Sequence, residues 1–355
     1  MAEASPIART EVGQGSQCAS ALVSVVVPAY NCARFIGESL DSVYRQTYGN
    51  WEVVVIDDGS TDETRAALAP HIGRIRYFYQ ENRGTAAARN AGVRQARGEL
   101  IAFLDNDDIW LPEKLARQVQ VMQGSLECGL VFTDGKRFSA DGTRAESLIS
   151  TRLDGWIAAH RTEDPLVAKG DIVRNLFFDN EISSASSVMV RRQCLERAGG
   201  FDEAIAIADD YDLWLRIARA HSVALITRCL YMWRWHDGSQ SGTIPERIQR
   251  WRVASLLVQE KHLSLAPPDV RRRLRAHMAR EYWECARCYF DLNQFHDSRK
   301  MLVGCLRHDP VSFPAMAFLL ASRLNPSIID GMRRLKRRVR MWRRGAGRRF
   351  SSGPS

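Results

Sequence analysis

Between residues 23 and 132, short apolar runs alternate with segments of helical periodicity, and this alternation constrains the fold more than any other feature. Runs rich in β-branched or aromatic residues predict strands at 23–27, 51–56, 75–79, 100–104 and 129–132. The segments between the first strands carry apolar residues at helical spacing. This order predicts an α/β fold with a mostly parallel, Rossmann-like sheet and helices on both of its faces.

Polar clusters follow three of these predicted strands. The first strand runs into Tyr30-Asn31, the second into Asp57-Asp58 and the fourth into Asp105-Asn106-Asp107-Asp108. Because ligands of such folds bind at the carboxyl ends of the strands, we expect these side chains to share one site. Closely spaced carboxylates are costly unless a cation lies beside them, so the third cluster predicts a metal–diphosphate site. A solvated loop or a helix cap is the alternative, since Asp and Asn favour both.

Two common nucleotide-binding signatures do not occur in the sequence. Pro28-Ala29-Tyr30-Asn31 follows the first strand, where a dinucleotide-binding domain carries Gly-x-Gly-x-x-Gly. A Gly-Lys-Ser/Thr phosphate loop does not occur either. The sequence therefore argues against a dinucleotide-binding Rossmann domain and against a P-loop enzyme.

A second acidic pair lies further along the chain. Residues 134–180 are irregular and mixed in charge, and we interpret them as a variable segment that lines an acceptor pocket. Asp209-Asp210 stands at the start of an amphipathic helix, where the helix dipole favours acidic residues. Strands are predicted at 223–226 and 231–235, and the second of them ends at His236.

From Pro245 onward the pattern is entirely helical. Two helices within 275–310 resemble one tetratricopeptide-like (TPR-like) hairpin, which cannot bury its apolar face alone and should pack on the α/β body or on a partner. Cys285-x-x-Cys288 lies on apolar helical positions without a second pair at ligand spacing. These cysteines are therefore predicted to lie in a core rather than to bind zinc.

The positive charge of the chain is concentrated in residues 331–355. The formal net charge is +9, and this segment contains nine Arg, one Lys and no acidic residue, so the rest of the chain carries −1. Its apolar residues recur at helical spacing, which is typical of basic helices at membrane surfaces. Residues 1–20 do not resemble a secretory signal, and no apolar run is long enough to span a bilayer. We therefore expect a cytoplasmic protein, peripheral at the inner face of the membrane.

Seven motifs in this order resemble those of the family 2 glycosyltransferases, which are inverting nucleotide-sugar enzymes of the GT-A fold. The motifs are Val25-Val26-Val27-Pro28-Ala29-Tyr30-Asn31, Val55-Ile56-Asp57-Asp58-Gly59-Ser60-Thr61-Asp62, Glu81-Asn82-Arg83-Gly84, Ala88-Arg89-Asn90-Ala91-Gly92, Phe103-Leu104-Asp105-Asn106-Asp107-Asp108, Gly199-Gly200-Phe201-Asp202 and Asp209-Asp210-Tyr211-Asp212-Leu213-Trp214. With the helical pattern, the resemblance implies four segments. They are a disordered leader at 1–20, a GT-A domain at 21–241, an all-α domain with the TPR-like hairpin at 245–330 and a basic amphipathic tail at 331–355.

The resemblance also implies how the nucleotide sugar is bound. Tyr30 would contact the base, Asp58, rather than its neighbour Asp57, would accept its N3–H, and Asp105 would reach the ribose. A helix N-cap cluster is the alternative for the Asp57-Asp58 pair. Arg83 and Arg89 are candidates for contacts with phosphate or base, and a solvated helix face is their alternative. The full set predicted to bind the nucleotide sugar is Pro28, Tyr30, Asn31, Asp57, Asp58, Arg83, Arg89, Asp105 and Asn106.

The metal and the catalytic base follow from the same resemblance. Asp105-Asn106-Asp107 matches the Asp-x-Asp motif of the family, which implies that Asp107, with Asp105, binds Mg²⁺ or Mn²⁺. His236 is a further candidate ligand, and a structural histidine is its alternative. Asp210 matches the position of the base, and Asp209 stands where the family usually has Glu. Acids that merely stabilise a helix start are the alternative for this pair.

These expectations describe a metal-dependent glycosyltransferase. It would transfer a sugar from a UDP- or dTDP-sugar to a hydroxyl of a glycan or lipid-linked glycan, in cell-surface polysaccharide assembly at an anionic membrane. A sugar-1-phosphate nucleotidyltransferase is one alternative, but it needs a glycine-rich basic loop after the first strand. A nucleic-acid-binding protein is suggested by the pI of about 9.3. Because the basic residues are confined to one tail, we do not expect a nucleic-acid partner.

Overall fold

The computed structural model describes residues 20–149, 151–164, 167–182, 184–236 and 245–322. The predicted leader, apart from Ser20, and the predicted basic tail lie outside the described residues. The ends of the two predicted domains, at 237–241 and 323–330, lie outside them as well.

Ten strands of the described part form a single sheet. They are β1 (Val23–Ala29), β2 (Trp51–Asp58), β3 (Arg76–Gln80), β4 (Leu100–Phe103), β5 (Ile109–Trp110), β6 (Cys128–Ser139), β7 (Gly142–Ser147), β8 (Val167–Gly170), β9 (Met189–Arg191) and β10 (Ser222–Arg234). Their order across the sheet is β3-β2-β1-β4-β9-β6-β10-β5, with β7 paired to β6 and β8 paired to β10.

The sheet is parallel in one half and mixed in the other. β3, β2, β1 and β4 are mutually parallel, as the alternating pattern predicts. β9 runs antiparallel between β4 and β6, whereas β6 and β10 are parallel to each other. β9 begins shortly after Ser186, at the edge of the sheet where β4 ends. The hydroxyl of Ser186 accepts the backbone N–H of Asp105 at 3.0 Å. The fold class is therefore confirmed, with a mixed sheet in place of a mostly parallel one.

The described part of the chain contains twelve α-helices, and those that pack against the sheet cover both of its faces. They are α1 (Ile36–Tyr44), α2 (Thr64–Leu68), α3 (Thr85–Gln95), α4 (Lys114–Gln123), α5 (Asp154–Ala159), α6 (Val173–Leu176), α7 (Arg192–Ala198), α8 (Asp209–Ala218), α9 (Pro245–His262), α10 (Pro268–Asp291), α11 (Phe295–His308) and α12 (Phe313–Ala321). α1 and α4 bury their apolar residues on the side of Val25 and Val27, and α3 and α8 bury theirs on the side of Val26. The alternation of side chains along β1 thus builds two cores, one on each face.

Residues 134–180 are more regular than the sequence pattern indicated. They contain the end of β6 as well as β7, α5, β8 and α6, and Trp156 and Phe177 are buried in the larger core. Periodicity missed these elements because each is short and contributes only one or two apolar residues. The predicted strands at 223–226 and 231–235 are one strand, β10, whose register against β6 shifts between Ile226 and Tyr231.

The helical region α9–α12 packs on the α/β body, as an unaccompanied hairpin requires. Leu274, Met278 and Cys285 of α10 belong to the same buried cluster as Trp214 of α8. The predicted hairpin is formed by α10 and α11, and Asn293 with φ +62° lies in the turn between them. The division of the chain into domains at residues 241 and 245 stays a prediction.

Helices of the described part are all too short or too polar to cross a bilayer.

Candidate active site

The carboxyl ends of β1 and β2 are tied together by Asn31. Ala29 and Asp57 are paired across the two strands, so the residues that follow them meet at one edge. Asn31 adopts φ +47°, a left-handed conformation that Asn tolerates better than most residues. Its backbone N–H donates to Ser60 Oγ at 3.0 Å, and its Oδ1 accepts the N–H of Thr61 at 2.8 Å. Asn31, predicted to bind the nucleotide sugar, thus also fixes the two loops that border the site.

Asp57 is buried and braces the loop after β2. Its Oδ1 accepts the N–H of Ser60 at 2.9 Å, and its Oδ2 accepts the hydroxyl of Tyr77 at 2.8 Å. Burial and the charge of Asp57 raise the pKa of Tyr77 to about 12. Protein donors thus contact both carboxylate oxygens of Asp57, and its part in binding the nucleotide sugar stays a prediction.

Asp58 holds the turn that precedes α3. Its Oδ1 accepts Gln80 Nε2 at 2.7 Å and the N–H of Arg83 at 3.0 Å, and its Oδ2 accepts the N–H of Gly84 at 2.8 Å. Gly84 adopts φ +89°, which only glycine reaches without strain. A carboxylate oxygen has room for two donors, so Oδ2 retains one acceptor position for a base.

Tyr30 and Asn106 lie where the ends of β1 and β4 come together. The Asn106 side chain donates to the carbonyl of Pro28 at 2.9 Å, and Ser39 Oγ donates to the Asn106 carbonyl at 3.0 Å. These contacts anchor the Asp105-Asn106-Asp107 segment against β1. Tyr30 is 48% exposed beside them, so its side chain is accessible to a ligand.

Arg89 of α3 lies buried between the end of β4 and the start of α8. Its guanidinium contacts Asp105 Oδ1 at 2.8 Å and Asp209 Oδ2 at 3.0 Å. Burial acts against the charge of Arg89, but these two carboxylates outweigh burial and raise its pKa. Burial of Arg89 rules out the alternative of a solvated helix face. Two carboxylates already neutralise its charge, and its contact with phosphate or base stays a prediction.

Arg83 has a different environment from Arg89. Its guanidinium forms an exposed ion pair with Glu203 at 2.8 Å, and 59% of its side chain is accessible. An exposed pair of this kind contributes little to stability and can exchange partners. Arg83 therefore keeps its place as a candidate for contact with phosphate.

Asp107 and His236 form the part of the site on which the metal prediction depends. His236 Nε2 lies 3.0 Å from Asp107 Oδ2, so the end of β10 reaches the end of β4. Burial and the charge of Asp105 raise the pKa of Asp107, and burial with Asp107 and Asp105 raises that of Asp108 further. Negative charge is thus in excess here, and a cation would relieve it.

The donor set fits a divalent ion that is completed by the substrate. Carboxylate oxygens are the ligands that Mg²⁺ and Mn²⁺ prefer, and Mg²⁺ keeps several waters, so one or two protein ligands suffice. Over the described ranges, no group of three or more His, Cys, Asp or Glu side chains has the arrangement of a metal site. Water molecules and oxygen atoms of a diphosphate would supply the remaining ligands.

Asp210 stands at the N-terminus of α8. The chain enters this helix through Ala208 with φ +66°, and Asp210 Oδ1 accepts the N–H of Tyr211 at 2.7 Å. Burial and then the charge of Asp209 raise the pKa of Asp210 to about 7; Arg89 opposes this rise and Asp105 adds to it. A carboxyl with this pKa is suited to accept a proton near neutral pH.

Asp212, which the sequence analysis did not single out as a site residue, lies on another side of the same helix. Its carboxylate is fully buried and contacts Arg216 at 2.6 Å, Lys261 at 2.7 Å and His262 at 2.8 Å. Burial alone would raise the pKa of Asp212, but hydrogen bonds from His262 and Lys261 and the charge of Arg216 lower it well below its ordinary value. Arg216 at i+4 was the only partner that sequence spacing could have indicated.

Ser186 and Arg234 also support the site without having stood out in the sequence. Ser186 holds the backbone of Asp105, as described above. Arg234 donates from Nε to the carbonyl of Asp107 at 2.7 Å and from its backbone N–H to Asp108 Oδ1 at 2.9 Å. A lone Ser or Arg at the end of a strand gives no signal by itself, because its partners are distant in the sequence.

Comparisons with known proteins place residues 24–196 in a family. The sequence profile described as "Glycosyl transferase family 2" matches that segment. An uncharacterized glycosyltransferase of Rickettsia typhi is 28% identical over 240 residues, which cover 66% of this chain and 70% of that protein. TuaG of Bacillus subtilis, provisionally assigned to teichuronic acid biosynthesis, is 39% identical over 132 residues, or 36% of this chain and 52% of TuaG. Chondroitin synthase of Escherichia coli is 30% identical over 217 residues, or 59% of this chain and 28% of the synthase.

Solved structures share the fold at lower identity. Staphylococcus aureus TarS superposes with a TM-score of 0.54 and 18% identity, covering 85% of this chain and 52% of TarS. The 1–349 fragment of TarS in complex with UDP-GlcNAc gives a TM-score of 0.51 and 15% identity, covering 81% of this chain and 88% of the fragment.

Proposed function

Because this chain belongs to the family 2 glycosyltransferases and has their GT-A fold, we propose that it transfers a sugar from a nucleotide sugar to a hydroxyl of a glycan or lipid-linked glycan, with inversion at the anomeric carbon. The carboxyl of Asp210, with a pKa of about 7, carries this proposal. Asp209 and Arg89 connect it to Asp105 at the end of β4. The base therefore directly follows, in the chain, a residue whose ion pair with Arg89 leads to the predicted donor site.

Asp210 acts as the general base in this proposal. It accepts the proton of the acceptor hydroxyl while the hydroxyl oxygen bonds to the anomeric carbon. The bond from that carbon to the diphosphate oxygen breaks on the opposite face, and the nucleoside diphosphate leaves with the electron pair. Burial raises the pKa of Asp209 and the charge of Arg89 opposes that rise. Because the Oδ2 of Asp209 already accepts a hydrogen bond from Arg89, we assign the proton to Asp210.

The strand ends orient the donor. Asp58 and Tyr30 face the base of a UDP- or dTDP-sugar, with Pro28, Asn31 and Asn106 shaping the same edge, and Asp105 faces the ribose. Asp107, with Asp105 and His236 as further candidate ligands, would hold Mg²⁺ or Mn²⁺. When bound, this ion neutralises charge on the departing diphosphate.

Two relatives and the basic segment 331–355 support the proposed acceptor and its location. TuaG is assigned to teichuronic acid biosynthesis and another relative is a chondroitin synthase, so we assign this chain to polysaccharide assembly at the cell surface. Lipid-linked acceptors lie on the cytoplasmic leaflet, and the basic segment 331–355 would bind that anionic surface from the inside. Family membership favours this function over the nucleotidyltransferase and nucleic-acid-binding alternatives.

A screen of nucleotide sugars tests the proposed function. The chain is incubated with UDP-, dTDP- and GDP-sugars with Mn²⁺ or with a chelator, and release of the nucleoside diphosphate is measured. We expect release from a UDP- or dTDP-sugar that requires the metal and is abolished by Asp107→Ala. Asp141→Asn is the matched control, because Asp141 lies exposed in the β6–β7 turn. Metal-dependent release at the wild-type rate by Asp107→Ala would remove the metal assignment.

A further inference from the structure

The helical region contains a basic groove that the proposed reaction does not use. α10, α11 and the segment that enters α12 enclose about 540 Å³, and Arg272, Arg275 and Arg280 line it. The guanidinium groups of these three arginines form no hydrogen bond or ion pair with any residue that the structure describes. Asp309 is the one carboxylate of the lining, so positive charge is in excess.

An apolar stripe begins at the rim of this groove. Phe313, Met316 and Leu320 lie on the outer side of α12, and they are 76%, 39% and 66% exposed. Val311, just before the helix, is 82% exposed. Pro314, next to Phe313, lines the groove, so the stripe and the arginines are contiguous.

Aromatic contacts on the inner side of α12 fix the orientation of this helix. The ring of Phe318 packs edge-on against Trp283 with centroids 4.9 Å apart, and Trp283 also lines the groove. Phe318 contacts the ring of Phe290 as well, with centroids 5.1 Å apart. The stripe is therefore held outward by packed aromatic residues on the opposite side.

We propose that this face, defined by Arg272, Arg275, Arg280 and the α12 stripe, binds a membrane surface that contains anionic phospholipid. Guanidinium groups match the geometry of phosphate oxygens, which places lipid headgroups in the groove. The stripe then contacts the boundary between headgroups and acyl chains, where an amphipathic surface gains from burying apolar side chains. A soluble phosphate polymer accounts for the arginines but leaves the exposed stripe without a partner, so the lipid is the better match.

The charge of the chain beyond this face supports the same occupant. Residues 331–355, nine Arg and one Lys without an acidic residue, follow α12 in the sequence. A single weak membrane signal gives only reversible binding, and a second one adjacent to it strengthens the binding. This inference concerns α10–α12 and does not depend on the activity of the α/β domain.

Co-sedimentation with vesicles tests the proposal, using the full chain without donor or acceptor. Vesicles of phosphatidylcholine alone and of phosphatidylcholine with 30% phosphatidylglycerol are compared, the composition being set to about the anionic content of a charged leaflet. The groove variant changes Arg272, Arg275 and Arg280 to Gln, and the stripe variant changes Phe313 and Leu320 to Ser. We expect each to weaken binding to the anionic vesicles about tenfold or more.

Matched controls separate this face from nonspecific effects. Arg287→Gln changes an exposed arginine of α10 that already pairs with Glu284, and Leu126→Ser changes an exposed leucine of the α/β domain. Both should bind as the wild type does. All variants are also made in a chain in which Arg337, Arg338, Arg340, Arg343 and Arg344 are Ser, so that the tail does not mask the effect.

Three results would overturn the proposal. The first is wild-type binding to anionic vesicles by either variant in the tail-substituted chain. The second is an equal loss with the control variants. The third is a loss of binding to soluble polyphosphate by the groove variant while its vesicle binding is unchanged, which would identify an anionic polymer as the ligand. Nucleotide-sugar turnover by the same variants shows whether they fold, and its absence in the wild type would count against the proposed function alone.

Discussion

Two aspartates near the start of helix α8 have different surroundings, and their pKa values are shifted in opposite directions. Asp210 and Asp212 both lie in its first turn, where the helix dipole favours negative charge. The pKa of Asp210 is nevertheless raised to about 7, whereas that of Asp212 is lowered. Both carboxyls experience desolvation, so the difference comes from their neighbours. The charges of Asp209 and Asp105 raise the pKa of Asp210 against the opposing charge of Arg89, whereas three basic groups contact Asp212.

The contrast shows what the helical region contributes to the site. Lys261 and His262 of α9 supply two of the three partners of Asp212, and Tyr211 packs with Val258 of α9 in a small buried cluster. On the side of α8 that faces α9, basic side chains of α9 neutralise the charge of Asp212, and buried contacts hold the helix in place. The side that carries Asp210 keeps a surplus of negative charge, which suits Asp210 to the proposed role of general base. We infer that α9 holds the helix in place while the start of the helix stays reactive.

Among the variants that test the difference between Asp210 and Asp212, Asp210→Asn should have the largest effect on activity. An amide cannot accept the acceptor proton, and general-base assistance contributes about 10²- to 10⁴-fold, so kcat should fall by that factor. Nucleotide binding, measured by calorimetry, should be unchanged. The melting temperature at pH 8 should not fall, because folding raises the pKa of Asp210 and its ionisation there opposes the folded state.

Transfer by Asp210→Asn within a factor of about three of the wild type would remove the base assignment, since even the low end of general-base assistance exceeds that factor. Asp209→Asn is the informative comparison. It should disturb the ion pair with Arg89 and reduce activity less, because Asp209 does not itself accept the proton.

Asp212→Asn should affect stability and have little direct effect on chemistry. The change leaves Arg216, Lys261 and His262 facing a neutral group, and breaking a buried ion pair costs about 3 kcal/mol. Urea unfolding should show that loss near pH 7. A variant as stable as the wild type would show that the contacts between α8 and α9 do not anchor the helix.

The pH dependence of the wild type distinguishes the two carboxyls. Because Asp210 must be ionised to accept a proton, kcat/KM should rise about tenfold per pH unit below pH 7 and level off above it. The contribution of Asp212 to stability is also lost on acidification, but over a lower pH range. It is present above the ordinary aspartate pKa near 4 and is lost as the pH falls below it, since the folded-state pKa is the lower one. A kcat/KM that is flat between pH 5 and pH 8 would contradict the raised pKa of Asp210.

The sequence predicted the parallel half of the fold better than the other half. β1 to β4 are apolar runs separated by helices of clear periodicity, so local pattern was sufficient there. β7, β8 and β9 have three to six residues each, and their pairing direction depends on how the chain returns to the sheet. A local pattern does not encode that path, and the mixed character of the sheet could not be predicted from it.

The candidate site shows the same limit at the level of single contacts. Strand ends brought Asn31, Asp57 and Asp105 to one edge because parallel strands must end together. The partner of Arg89 could not be predicted in this way, because Asp209 lies 120 positions along the chain. The same holds for Asp212, whose partner His262 is 50 residues away.

Arg89→Lys should have the smallest effect of these variants, and it tests how Arg89 influences the pKa of Asp210. A lysine keeps the positive charge but cannot contact Asp105 and Asp209 with a rigid fork, so one charge-assisted hydrogen bond of about 1.5 kcal/mol is lost. We expect transfer to fall about tenfold, in line with that energy. Because the guanidinium opposes the raised pKa of Asp210, the acid limb of the pH profile should also move to higher pH. Arg83→Lys, at an exposed ion pair, is the control and should leave that limb unchanged. If Arg89→Lys weakened donor binding without moving the acid limb, Arg89 would belong to the phosphate site after all.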